Sequence, residues 1–134
     1  MTGRVVHIPG TRVGALEQGG DERLRVVFAP ARVVHSEGIP LADASTLWVQ
    51  EGTLSLAEAE VTGEPPELPA EVAGGSIETG GIKYVDTMPL PLENSGLTEL
   101  RLRFGDGREV SIAGTGVRVE MAGNPKYVRH LDQD

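Results

Sequence analysis

Apolar and charged residues alternate most clearly between residues 97 and 121. From residue 99 to residue 104 every second position is apolar, and the positions between carry Glu or Arg. Successive side chains of a strand point to opposite faces, so this stretch predicts a strand with one apolar and one charged face. Such half-buried strands are typical of antiparallel sheets. The pattern returns at residues 109–113 and 117–121, so the sequence predicts three consecutive strands.

The first turn, Gly-Asp-Gly, allows the register of the first two strands to be predicted. Directly opposed residues of a sheet share a face. A two-residue loop would mix apolar and charged faces, whereas a three-residue loop places Leu102 opposite Val110 and Arg103 opposite Glu109. We therefore predict the three-residue loop, with Gly107 in the left-handed conformation of a bulge.

The second turn, Gly-Thr-Gly, predicts a hairpin between the second and third strands. A four-residue loop over residues 113–116 would place Ile112 opposite Val117. Gly-Asn-Pro at residues 123–125 predicts a further turn beyond the third strand. Solvation explains the charged residues of these strands, which we expect on one solvent-facing side: Arg101, Arg103, Glu109, Arg118 and Glu120.

Short apolar runs separated by Gly or Pro recur along the rest of the chain. Its 18 glycines and nine prolines indicate many turns, and no stretch has helical periodicity. We predict an all-β fold over residues 1–134: a single-domain antiparallel β-sandwich or flattened β-barrel of about 8–10 short strands. Residues 1–20 are expected to be loosely held, and residues 129–134 to form a frayed tail. Further strands are predicted around residues 23–35, 46–50, 53–61, 75–79 and 81–85.

Residues 24–34 and 100–110 resemble one another at a constant offset. The similarity admits two interpretations, a true internal repeat or the convergence of two amphipathic strands. We favour convergence, and the repeat stays open.

Composition restricts the classes of function. The net charge of −8 disfavours binding to nucleic acid, because phosphates would be repelled by most of the surface. No apolar run approaches the ~20 residues of a membrane span, and the N-terminus lacks the apolar core of a signal peptide. The chain has no cysteine, which is compatible with a cytoplasmic location. We expect a cytoplasmic protein with no nucleic-acid or membrane partner.

Motifs for catalysis or metal binding are not recognisable. The three histidines, His7, His35 and His130, lack metal-ligand spacing, and no serine lies in a nucleophile elbow. We expect no metal or cofactor. Glu58 occupies a position where the alternation calls for an apolar residue. Either a bulge shifts the phase to Ala59 and Val61, or the face of the strand emerges into solvent. A Glu58 that pointed inward would be a carboxylate with a perturbed pKa, and we favour the bulge over that interpretation.

Large apolar side chains are the other candidates for a contact site. Trp48, the only tryptophan, and Tyr84 could form a platform for a ligand or partner, although a lone Trp in a β domain is more often part of the core. Met88 lies in a Pro-containing segment suited to a sheet edge. The predicted ligand or partner contacts are Trp48, Glu58, Tyr84 and Met88.

Turns and strand ends in the C-terminal two-thirds of the chain carry a family resemblance. Its features are Trp48-Val49-Gln50, the prolines at 65–69, Pro89-Leu90-Pro91-Leu92, Gly105-Asp106-Gly107, Gly114-Thr115-Gly116 and the segment 123–128. With these features the chain resembles small, uncharacterised bacterial all-β proteins of unknown function. The resemblance implies a fold and no reaction.

Two functions follow as hypotheses. The first is a non-catalytic binding or assembly module, with a protein partner or self-association, for instance as a homodimer. The alternative is a small-molecule site in a β-barrel, with enzymatic activity left open.

Overall fold

The computed structural model describes residues 2–37 and 45–131, and all of its regular elements are β-strands. This confirms the predicted all-β class and strand number. The strands are β1 (Thr2–His7), β2 (Arg12–Gln18), β3 (Arg23–Glu37), β4 (Ser45–Thr62), β5 (Ala70–Thr79), β6 (Ile82–Val85), β7 (Thr87–Leu90), β8 (Leu92–Phe104) and β9 (Glu109–Leu131). Several strands are longer than predicted, because they continue through Gly or Pro residues that were expected to end them.

The nine strands form one antiparallel sheet that returns upon itself. Its order is β2-β5-β8-β9-β4-β3-β1-β7, and β2 also pairs with β3. Six strands therefore make a ring, β2-β5-β8-β9-β4-β3, consistent with the predicted sandwich or flattened barrel. β6 pairs with β5 outside this ring.

β3 changes partners at its middle. Residues 24–28 pair with β2, and residues 32–37 pair with β1. The change occurs at Pro30, where the register with β4 also shifts between Phe28 and Ala31. A proline cannot donate to a ladder, so strands often bulge where one occurs. The sheet consequently has a closed part around the ring and an open part made of β7, β1, the second half of β3, the first half of β4 and the end of β9.

The predicted register of the first hairpin is confirmed. Leu102 pairs with Val110 and Arg103 pairs with Glu109. Gly107 has a φ of 92°, and its N–H donates to the Phe104 carbonyl at 3.0 Å. A left-handed glycine at the end of a three-residue loop produces this bulge.

The predicted second hairpin is wrong, because β9 continues through both glycine signals. Ile112 pairs with Leu100 of β8 and Val61 of β4, and not with Val117. The glycines serve close packing and a bulge instead. A Cβ on Gly114 would lie 2.6 Å from the Ala57 carbonyl oxygen, so only glycine permits this approach of β4.

One core cluster joins residues of the ring strands with residues of β1 and β7. Its largest fully buried side chains come from β3, β4, β5, β7, β8 and β9, and they include Phe28, Leu54, Leu56, Ile77, Met88, Leu100 and Ile112. The predicted hairpin at Gly80-Gly81 is present, with Thr79 paired to Ile82. Residues 129–131 of the predicted frayed tail belong to β9, and residues 132–134 lie outside the described residues.

Candidate functional site

The second half of β9 is an edge of the sheet. Its pairing with β8 ends at Val119, opposite Leu92. Beyond Val119 the only described strand that pairs with β9 is β4. All residues from 122 to 130 are exposed, including those on both faces of the strand. A strand normally buries at least one face, so this stretch presents an unusual amount of free surface.

A first bulge begins this edge. The register shift between Val49 and Glu51 sets residues 123–125 away from β4, and Gly123 has a φ of 71°. The buried Gln50 side chain fills the gap, where its Nε2 donates to the Gly123 carbonyl at 3.0 Å. The Gln50 Oε1 is buried and has no hydrogen-bond partner among the described residues. The predicted turn at Gly-Asn-Pro is therefore a bulge inside a continuing strand.

A second bulge decides which side chains of the edge share a face. Tyr127 pairs with Trp48 and Arg129 pairs with Leu47, so Val128 is the extra residue. Bulges of this kind re-aim side chains and are frequent beside functional sites. The bulge places Tyr127 and His130 on the same face as Trp48.

Four rings form a continuous group on that face, which we call the aromatic row: His35, Trp48, Tyr127 and His130. The His35 and Trp48 rings are stacked, with centroids 5.0 Å apart. Tyr127 meets Trp48 edge-on at 5.4 Å, and His130 meets Tyr127 edge-on at 5.8 Å. Trp48 is oriented by a 2.8 Å hydrogen bond from its Nε1 to Thr46 Oγ1.

The aromatic row has a structural interpretation as well as a functional one. Cross-strand aromatic pairs each stabilise a sheet by about 0.5–1.5 kcal/mol beyond the area they bury. Tyr127 nevertheless stays 50% exposed, and its neighbour Val128 stays 46% exposed. The inner rings therefore stabilise the sheet, while the outer end of the row is available for contact.

His35 has the most perturbed surroundings in the row. Burial lowers the pKa of its imidazole below the ordinary value of 6.5, and the charge of Arg4 lowers it further. Arg4 is its directly paired neighbour on β1. The His35 Nε2 is buried without a hydrogen-bond partner in the described part of the chain. The neutral imidazole is thus the form that this site favours.

The opposite face of the same edge carries two cations, which we call the basic pair: Lys126 and Arg129. Lys126 pairs with Val49 and Arg129 pairs with Leu47, so both lie on the face away from Trp48. Among the side chains described, those of residues 3–36 and 45–131, no carboxylate oxygen lies within 4 Å of the nitrogens of Lys126 or Arg129. The edge therefore has one aromatic face and one face on which two cations have no ion pair among the described side chains. Glu51 lines the same surface pocket as Lys126 and is the carboxylate nearby on this part of the sheet.

The four contact residues predicted from sequence lie in different places. Trp48 belongs to the aromatic row. Met88 is only 1% exposed and lies in the core. Tyr84 is half-buried on β6 and packs against the core. Glu58 is exposed with a φ of 51°, next to a register shift of β4 between Ala57 and Glu60, so the predicted bulge is present. Val61 is nevertheless 45% exposed, so this face also emerges into solvent, as the second alternative predicted.

Trp48 and Met88 are nevertheless related through the sheet. Successive pairings connect Met88 to Val6, Val6 to Val33 and Val33 to Trp48. These four paired side chains face the core, so Trp48 connects the buried interior with the exposed rings of the aromatic row.

Sequence reasoning missed the other members of the site, namely His35, Lys126, Tyr127, Arg129 and His130. One signal was available: residues 121–131 contain no acidic residue, in a chain whose net charge is −8. The sequence did not show which residues pack against this segment, because that depends on which strand lies beside it in the sheet.

A second surface feature is a trench of about 340 Å³ on the outside of β5, β6, β8 and β9. Its glycine floor is tightly packed, since a Cβ on Gly75 would lie 2.3 Å from the Arg101 carbonyl oxygen. Lys83 and Arg103 line it together with Asp86 and Glu109, so its charges are mixed. This is the predicted solvated face, with no convergence of catalytic groups.

The described residues contain no group of three or more His, Cys, Asp or Glu side chains placed to hold a metal ion. They also include no helix long and apolar enough to cross a membrane. Comparison with protein-family models, curated proteins and solved structures found no match to this chain. The resemblance to small bacterial β proteins stays a prediction.

Proposed function

We propose that the protein is a non-catalytic binding module of the cytoplasm, and that it contacts a protein partner through the end of β9. The contact surface consists of residues 121–131 and the aromatic row. One observation carries the proposal: residues 122–130 form a strand that is exposed on both faces and that pairs only with β4 among the described residues.

The chemistry of this surface supports contact with protein. Tyr, Trp and Arg are the side chains that most often dominate the binding energy of interfaces. A free strand edge also offers backbone donors and acceptors to an added strand. Tyr127, Trp48 and Arg129 provide the first feature. The edge of β9, which has no second neighbour among the described strands, provides the second.

The alternative, a small-molecule site inside a barrel, has less support. The space within the ring is occupied by apolar side chains such as Leu54, Ile77 and Leu100. Glu58, the carboxylate suggested for such a site, is exposed. Within the part of the chain that the structure describes, the core cluster is apolar and does not bring together the polar groups that a ligand or a reaction would need.

A peptide selection with mapping tests the proposal. Random twelve-residue peptides displayed on phage are selected on the purified protein, and amide hydrogen exchange locates the site of the bound peptides. Protection should concentrate in residues 121–131. Tyr127→Ser should weaken binding by at least ~10-fold, as expected when an interface anchor is truncated.

The control is Val85→Ser, which removes an exposed apolar side chain from β6. It should leave binding unchanged. Failure to enrich any peptide, or protection in the trench beside Lys83 in place of β9, would refute the proposal. Light scattering on the same samples shows whether the partner is a second copy.

A further inference from the structure

We infer that the partner of β9 is an extended segment in which acidic and apolar residues alternate. This inference rests on the proposed function and specifies the chemistry of the partner. The acidic side chains would face the basic pair, Lys126 and Arg129. The apolar side chains would face the aromatic row.

The two faces of the edge impose this alternation. Tyr127 and His130 lie on the face of Trp48, and Lys126 and Arg129 lie on the other face. Side chains of an added strand alternate between the same two faces. A strand laid beside β9 therefore meets rings with one set of its side chains and cations with the other set.

The charge of the basic pair determines which charge the polar side chains of the partner should carry. The basic pair has no carboxylate within 4 Å among the described residues, although the chain has twenty Asp and Glu. An acidic partner would supply the missing counter-charges, whereas a basic one would be repelled. The net charge of −8 opposes the binding of acidic segments to the protein as a whole, so the attraction has to come from local cations such as the basic pair.

The bulges define how much of the edge is open. Gly123 is left-handed, and Pro125 has no N–H to donate, so pairing is interrupted there. The stretch from Lys126 to Leu131 remains, with Val128 as an extra residue inside it. Its five other positions alternate between the two faces, and five residues match the usual length of a strand, about five to six residues.

A second copy of the chain fits this edge less well. If two copies paired through β9 with their aromatic faces aligned, both basic pairs would lie on one face of the joined sheet. Four cations would then adjoin without a carboxylate from residues 121–131 between them. Like charges on neighbouring positions of a sheet are destabilising.

The experiment uses two synthetic peptides and the fluorescence of Trp48, the only tryptophan. One peptide alternates Glu with Val over six residues between Gly-Ser ends, and the matched peptide has Lys in place of Glu. The Glu peptide should bind at least ~10-fold more tightly than the Lys peptide at low salt. Its advantage should shrink near 1 M salt, where the Debye length is about 3 Å.

A charge exchange supplies the decisive comparison. The double variant Lys126→Glu/Arg129→Glu should prefer the Lys peptide. The control, Lys83→Glu/Arg103→Glu, makes the same change of charge in the trench and should keep the preference for Glu.

Equal binding of the two peptides, or no effect of the exchange, would overturn the inference. If neither peptide binds while phage-selected peptides still protect residues 121–131, the inference fails and the proposed function stands. If no peptide of any kind protects β9, the proposed function fails too. A dimer joined through β9 would exclude the acidic partner in favour of a second copy.

Discussion

At the scale of single residues, His35 shows how one half-buried imidazole makes the stability of the sheet depend on pH. Its ring lies against Trp48 and beside Arg4, and both burial and that charge favour the neutral imidazole. The unfolded chain binds a proton near the ordinary pKa of 6.5, while the folded chain resists protonation to a lower pH. Its contribution to stability is therefore complete above pH 6.5 and is lost as the pH falls through the folded-state pKa.

We expect the free energy of unfolding to decrease as the pH is lowered below 6.5, before most carboxylates titrate. Urea denaturation between pH 5 and pH 7.5 measures this slope. His35→Phe, which keeps a ring against Trp48, should remove the His35 part of the slope. Arg4→Gln should reduce it, because the Arg4 charge lowers the His35 pKa. A slope that His35→Phe leaves unaltered would show that other groups cause it.

Gly107 offers a second test at this scale. Its φ of 92° is costly for any residue with a Cβ, although the space around it is open. Gly107→Ala should lower the free energy of unfolding by about 1–2 kcal/mol. The control is Gly105→Ala in the same loop, where space is also open and φ is not positive. Equal losses for the two variants, measured by urea denaturation, would contradict a conformational cause.

At the scale of the element, β8 contains leucines in opposite environments. Leu100 is fully buried and pairs with Ile112, whereas Leu97 is 81% exposed beside a register shift. Leu100→Ala should cost about 2–5 kcal/mol of stability, because it leaves a cavity in the core. Leu97→Ala should stay within about 0.5 kcal/mol. Denaturant midpoints compare them directly, and similar values for the two would argue against this core.

At the scale of the whole molecule, neighbouring strands of the ring differ in how many residues they pair. β2 and β5 share two paired positions, Arg12 with Glu71 and Val13 with Ala70, while β4 is paired along most of its length on both sides. Two further backbone hydrogen bonds continue this seam, from the Gly10 N–H to the Val72 carbonyl and from the Val72 N–H to the Thr11 carbonyl. The seam still has the fewest paired positions of the ring, so local opening there should cost least.

Native-state amide exchange tests this uneven closure. We expect the amide of Val72, which donates across the seam to the Thr11 carbonyl, to exchange faster than those of Leu54 and Leu56 in β4. A uniform level of protection would mean that the ring opens only by global unfolding.

Some of the fold was predictable because its determinants are local. The loop around Gly107 and the pairing of Leu102 with Val110 follow from alternation and from one left-handed glycine. The phase break at Glu58 likewise indicated a bulge, and the structure has one. Each inference needed only neighbouring residues in the sequence.

Other features were not predictable because a glycine has several uses. Gly114 resembles a turn residue, yet it permits β4 to approach β9, and that approach exists only in the folded sheet. The aromatic row was not predictable either, because its side chains meet only in the folded sheet. His35, Trp48 and Tyr127 come from three strands, and the bulge at Val128 determines the faces of Tyr127 and His130.

By itself, the sequence determined the all-β class, the strand faces and the register of one hairpin, because period-two alternation and turn chemistry act within a few residues. Only the tertiary structure decided the ring order, the continuation of β9 past Gly114 and Gly123, and the meeting of the four rings at the free edge. Those features depend on pairings between distant segments, and alternation specifies which face is apolar without specifying the partner strand.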